Sequence, residues 1–91
     1  MNQDDVKFRF EVLEVTEIEN GFQIKVDVQI RWLKESVYQG PVRVDMNTIG
    51  IFPSPADIAT ASPFKGVRGK LGAEIKRYIR IQRKFIPELV K

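Results

Sequence analysis

The stretch Asn20-Gly21-Phe22-Gln23-Ile24-Lys25-Val26-Asp27-Val28-Gln29-Ile30-Arg31-Trp32 decides the fold. From Phe22 onward every second residue is apolar and every residue between is polar or charged. Side chains on a strand alternate between its two faces, so residues 22–32 read as one long strand with a single dry face. The Asn20-Gly21 in front of it predicts a tight hairpin, because a type I′ turn needs positive φ at both central residues and Asn-Gly supplies that at low cost.

Upstream, Val6, Phe8, Phe10 and Val12 alternate with Lys7, Arg9 and Glu11. At Leu13 and Val15 the apolar positions move to odd numbers. A slip of one residue predicts a β-bulge near Val12-Leu13. A hairpin about Asn20-Gly21 pairs Val15 with Val26 and, beyond the bulge, Phe10 with Ile30 and Phe8 with Trp32. That register also sets Arg9 against Arg31 and Glu14 against Asp27, which is mildly unfavourable.

Downstream, Lys34 to Gly40 reads as a connection closed by Gly40-Pro41. Val42, Val44 and Met46, then Ile49 and Ile51, carry the sheet on to Phe52. This is either one bent strand with an irregularity near Asn47 or two short ones. Phe52-Pro53-Ser54-Pro55 ends the sheet. Ser54-Pro55-Ala56-Asp57 is a helix start, with Ser as N-cap, Pro at the first position and an acid two residues later. Ile58-Ala59-Thr60-Ala61 leaves room for one or two turns, and Ser62-Pro63 begins either another turn or a loop.

The last element is an amphipathic helix over 69–86. At 100° per residue Leu71, Ile75, Tyr78, Ile79, Ile81, Gln82, Phe85 and Ile86 fill an arc of about 160°. Lys76, Arg77, Arg80, Arg83 and Lys84 fill the opposite arc, and Pro87 ends the helix. The expected fold is α+β: an antiparallel meander of three to four strands with one long C-terminal amphipathic helix packed on one face, in two layers. All of residues 1–91 form one domain, with sheet over 6–52, a loop or short helical turn over 53–68 and helix over 69–86.

A composition of 43% apolar and 30% charged residues is that of a globular chain rather than a disordered one. There is no cysteine, so disulfides and thiolate metal sites are excluded. There is no histidine, which removes the commonest general base and metal ligand. Ser36, Ser54 and Ser62 lack a histidine to activate them, and two of them precede proline and read as caps. Asp45 and Asp57 are a candidate carboxylate pair that nothing in the sequence brings together. The expectation is a protein that is not an enzyme, with no catalytic, cofactor or metal residues and no small-molecule substrate. Met1-Asn2-Gln3-Asp4-Asp5 is polar and acidic, unlike an export signal, and no apolar run nears the roughly 20 residues of a membrane span. The expected location is cytoplasmic.

Charge is unevenly spread. Residues 1–61 carry 6 Lys/Arg against 10 Asp/Glu, while residues 62–91 carry 9 against 2. The candidate partner surface is therefore Arg68, Lys70, Lys76, Arg77, Arg80, Arg83 and Lys84. Its bland reading is a solvated outer helix face. Its functional readings are contact with an acidic protein, contact with nucleic acid, a membrane-surface helix as the least favoured, or the basic face of one copy against the acidic sheet of another. The outer edge of a strand as long as 22–32 also calls for covering or pairing. Gly66-Val67-Arg68-Gly69-Lys70-Leu71-Gly72 reads as a glycine-rich loop before the helix. It lacks the spacing and the Ser/Thr of a P-loop. The Gly66-x-x-Gly69 spacing resembles the loop with which KH domains clamp a nucleic-acid backbone, and the bland reading is a flexible turn.

The order of elements also resembles the later part of the SecB export chaperone. The residues that carry the likeness are the strand Phe22–Trp32, the segment Gly50-Ile51-Phe52 and a helix ending Ile86-Pro87-Glu88-Leu89. A first strand is missing, and the basic tail departs from the acidic character of that family. The resemblance implies protein binding and oligomers. The expected function is a small protein-interaction or assembly module, self-associating or bound to a protein partner. The alternative is a nucleic-acid binder using the basic helix face and the preceding glycine-rich loop.

Overall fold

Alternation along 22–32 builds the central strand of an antiparallel sheet. The structure, a computed structural model, describes residues 5–85. β1 spans Val6–Ile18, β2 Gly21–Trp32, β3 Glu35–Asn47 and β4 Ile51–Pro53, followed by helices α1 (Pro55–Ala61) and α2 (Lys65–Gln82). The sheet order is β1-β2-β3-β4, a meander, with both helices on one face. No described helix is long and apolar enough to cross a membrane.

The bulge falls where the phase slip places it: pairing shifts between Val12 and Glu14, leaving Leu13 unpaired and half exposed. The hairpin register is different from the expected one. Ile18 pairs with Gly21, so the loop is Glu19-Asn20, and Val15 faces Ile24 while Phe10 faces Val28. Leu33 is the one described non-glycine residue with positive φ, and no described glycine has positive φ. Gly21 is needed for another reason. A Cβ there would run into the Met46 carbonyl oxygen of β3, which lies against Gly21 across the pairing with Asn47. The register is displaced by two residues, an even number, so every side chain keeps its expected face. Glu14 now meets Lys25 instead of Asp27.

The segment expected to connect strands is itself strand. β3 begins at Glu35, and the turn into it is Leu33-Lys34, with Leu33 at φ 59°. Gly40 and Pro41 sit inside β3 opposite Val28 and Asp27. Tyr38 lays its phenol over Gly40, where an added Cβ would come within 2.5 Å of the hydroxyl. The Arg43 N–H points away from β2, toward Asp57. Two residues earlier on the same edge, the Pro41 nitrogen points away from β2 as well, so its missing donor costs no ladder bond. The irregularity at Asn47 separates two strands: its side-chain Oδ1 accepts from the Ile49 and Gly50 N–H groups at 2.8 and 3.1 Å.

α1 starts as its sequence signals, with the Ser54 hydroxyl accepting from the Asp57 N–H and Pro55 in the first turn. α2 starts four residues earlier than expected. The stretch Gly66–Gly72 is helix, not a loop, and the KH-like clamp reading falls with it. Each interior glycine costs roughly 1 kcal/mol of helix propensity, but fully burying Val67 and Leu71 returns about 1.5–3 kcal/mol each. At Gly72 an added Cβ would make only ordinary van der Waals contact with Ile58 of α1, at 3.6 Å, so packing does not demand glycine there. Arg83 to Phe85 form a turn, and Ile86 and Pro87 lie outside the described residues.

The core is the inner face of the sheet against one row of α2. Ile24, Val26, Val28, Ile30, Val42 and Val44 meet Val67, Leu71, Ile75 and Ile79, all at most 2% exposed. The four helix residues recur every fourth position, a ridge that lies along the sheet. Contact follows this row rather than the broader expected arc, so Ile81 and Phe85 are left exposed.

Two substitutions test the helical reading of 65–72 by denaturant unfolding. Gly69 has open space where a Cβ would go, so Gly69→Ala raises stability by about 0.5–1 kcal/mol if this turn is helix. Leu71→Ala costs about 2–5 kcal/mol. A destabilising Gly69→Ala, or a Leu71→Ala cost below about 1 kcal/mol, contradicts the packing described.

Candidate functional site

The seven basic candidates do not form one surface. Arg68 turns back on α1: its Nε donates to the Ser62 carbonyl at 2.5 Å and its Nη2 to the Ala59 carbonyl at 3.4 Å. It satisfies carbonyls at the end of a helix that has no basic residue in its own last turn. Lys70 reaches β1, where its Nζ donates to the Val6 carbonyl at 3.4 Å and lies 5.9 Å from the Phe8 ring centroid. Both cations hold the fold together.

Lys76, Arg77, Arg80, Arg83 and Lys84 remain, all exposed. None forms an ion pair or hydrogen bond with another described side chain. Helix geometry separates them. Lys76, Arg80 and Arg83 lie on the flank beside the β3–β4 turn, lining a hollow of about 530 Å³ with Asn47, Thr48 and Phe52. Arg77 and Lys84 lie on the outer side. Cations toward the C-terminal end of α2 also suit the negative end of its dipole.

The other flank of α2 faces β1 and is aromatic. Phe8 and Phe10 stack at 6.1 Å, and Tyr78 lies 5.2 Å from Phe10. Burial pushes the Tyr78 phenol above its ordinary pKa, against a hydrogen bond from the Val12 backbone that acts the other way. β1 pairs with β2 alone among the described residues, so its outer edge carries no partner strand. The charges along it are sorted. Lys7 and Arg9 come first, then Glu11, Glu14 and Glu17.

The uncovered face of the sheet is not acidic. Lys7, Arg9, Lys25, Arg31 and Arg43 are interspersed there with Glu11, Glu14, Asp27 and Asp45, and bonds such as Gln23 to Asp45 and Gln39 to Asp27 cross it. The acidic excess of residues 1–61 therefore offers no acidic sheet for the basic helix of another copy.

The serines are occupied by structure: Ser36 accepts from Gln29, Ser54 caps α1, and the Ser62 hydroxyl accepts from the Phe64 N–H. Asp57 is occupied by Arg43. Its carboxylate accepts from the Arg43 backbone N–H at 2.9 Å, Nε at 3.0 Å and Nη2 at 3.4 Å. This latch closes the edge of β3 just past β4, where the Ser54 N–H also bonds the Arg43 carbonyl at 2.8 Å. Among the described residues no group of three or more carboxylates gathers as a metal site.

Arg43's side-chain and backbone donors hold the Asp57 carboxyl below its usual value near 3.8. A depressed folded pKa gives stability above the ordinary carboxylate range that is lost as pH falls below about 4. The acid limb of the wild-type stability curve, read by urea unfolding between about pH 5 and pH 2, is expected to be steeper than that of Asp57→Asn. Identical acid limbs would contradict the latch.

No family model, no curated protein and no solved structure matches the chain.

Proposed function

We propose that this chain is a non-enzymatic assembly module that self-associates through the outer edge of β1. The observation that carries the reading is the sorted charge of that open edge. An exposed strand edge is a template for another strand, and uniformly charged edges repel such pairing. An edge that is cationic in its first half and anionic in its second is complementary to its own antiparallel copy.

A two-fold axis beside Phe10 sets the register. It places Arg9 opposite Glu11 of a second copy and, counting Leu13 as the bulge, Lys7 opposite Glu14. Each pair occurs twice. On the inner face it puts Phe10 against Phe10 and Phe8 against Val12 of the second copy, joining the two aromatic rows. Opposite charges and aromatic pairs directly across strands each contribute roughly 0.2–1 kcal/mol. From α2, Lys70 reaches the Val6 carbonyl and Tyr78 accepts from the Val12 N–H. Phe8 and Phe10 lie between as open edge, and on pairing the Val12 N–H passes from Tyr78 to the Phe8 carbonyl of the second copy. Two four-stranded sheets would then become one eight-stranded sheet, an isologous arrangement.

Sedimentation equilibrium tests this. The wild type is expected at about twice its 10.5 kDa mass at micromolar concentration. Arg9→Glu sets like charges across the axis and is expected to give monomer. Arg9→Glu with Glu11→Arg restores opposite charges and is expected to restore the dimer. A wild type that stays monomeric at hundreds of micromolar, or a swapped variant that stays monomeric, overturns the reading.

A further inference from the structure

We propose that the hollow between the Asn47–Phe52 segment and α2 binds single-stranded nucleic acid, with Lys76, Arg80 and Arg83 on the phosphates and Phe52 against a base. This flank lies beside β4, at the opposite edge of the sheet from β1, and does not depend on self-association.

Three observations meet here. The first is uncompensated charge: three cations line the hollow without a described carboxylate bonded to any of them. Asp45, across the strands from Phe52, accepts from Gln23 at 3.2 Å and acts on Arg43, on the uncovered face of the sheet. The second is spacing. Lys76, Arg80 and Arg83 follow each other at four and three residues, about 6 and 4.5 Å along the helix, which suits a row of charges rather than one ion. The third is an exposed aromatic at the β4 edge of the hollow, opposite Asp45 and so on the uncovered side of the sheet. Phe52 is 47% exposed, and its ring rests on Gly50, where an added Cβ would lie 3.3 Å away.

A cationic track with an aromatic platform is how single strands are held without reading their sequence, since every base has a π-face. An acidic peptide would use the cations and gain nothing from the ring. A regular duplex would keep its bases stacked and out of Phe52's reach. The Asn47 side chain locks the turn opposite the helix through its bonds to the Ile49 and Gly50 N–H groups, so the wall bearing Phe52 is fixed before any ligand arrives.

The test is fluorescence anisotropy with labelled oligo(dT), a duplex of equal length and an oligoglutamate of equal charge, titrated with the full chain across salt concentrations. Three phosphate contacts on a single strand predict a log–log salt slope of about −2. Arg80→Gln is expected to weaken binding and make that slope shallower by about 0.7. Phe52→Ala is expected to weaken oligo(dT) about tenfold while leaving the slope unchanged. Arg77→Gln/Lys84→Gln, on the outer side, is expected to change affinity no more than about twofold beyond what lost net charge gives at low salt. Circular dichroism of each variant confirms that it is folded, and Arg9→Glu, which tests the β1 edge, is expected to bind oligo(dT) as the wild type does. Absence of oligo(dT) binding at low salt overturns the proposal. So does equal binding of oligoglutamate, a preference for duplex, or indifference to Phe52→Ala.

Discussion

The structure depends on one dry contact: the inner face of β2 and β3 against the row Val67, Leu71, Ile75 and Ile79 of α2. A meander alone leaves its apolar face in water, and a helix with one apolar row alone is marginal. Each solves the other's problem. The contact also decides how early α2 begins, because Val67 is buried only if the helix includes the glycines on either side of it. Once α2 lies along the sheet its flanks are assigned. One faces the aromatics of β1, and the other presents Lys76, Arg80 and Arg83 beside the β3–β4 turn.

Local signals were legible wherever a single physical cause lay behind them. The alternation of 22–32 gave the central strand, the phase slip gave the bulge at Leu13, and Ser54-Pro55 gave the start of α1. The register was off by two because glycine has two uses. Asn20-Gly21 suggested positive φ, whereas Gly21 is there to let the Met46 carbonyl approach. Gly40-Pro41 misled in the same way. A breaker pair reads as a loop, yet a strand accepts both when an aromatic ring fills the glycine's space and the proline nitrogen faces away from the ladder. Leu33 left no signal at all, since a leucine at positive φ runs against local preference. The glycines at 66, 69 and 72 hid a helix that only tertiary burial explains.

The basic patch was legible as composition and not as geometry. Seven cations within 17 residues could be named from sequence, but their division could not. Arg68 and Lys70 are bound to carbonyls of α1 and β1, contacts made across the fold, and only Lys76, Arg80 and Arg83 share a hollow. In the sequence Phe52 marks the end of the sheet, and only the fold sets it at the edge of their hollow. The sorted charges of β1 were visible all along. They acquire meaning only once β1 is known to be an edge strand, because the same residues on a central strand would face neighbours already fixed.

Amide hydrogen exchange, followed residue by residue by NMR, tests the central contact most directly. If the sheet and α2 form one cooperative unit, amides of Ile24 to Ile30 and of Leu71 to Ile79 exchange at a common slowest rate set by global unfolding, with the Gly69–Leu71 turn protected alongside them. Fast exchange through Gly66–Gly72, or a helix that opens orders of magnitude more readily than β2, would contradict the account.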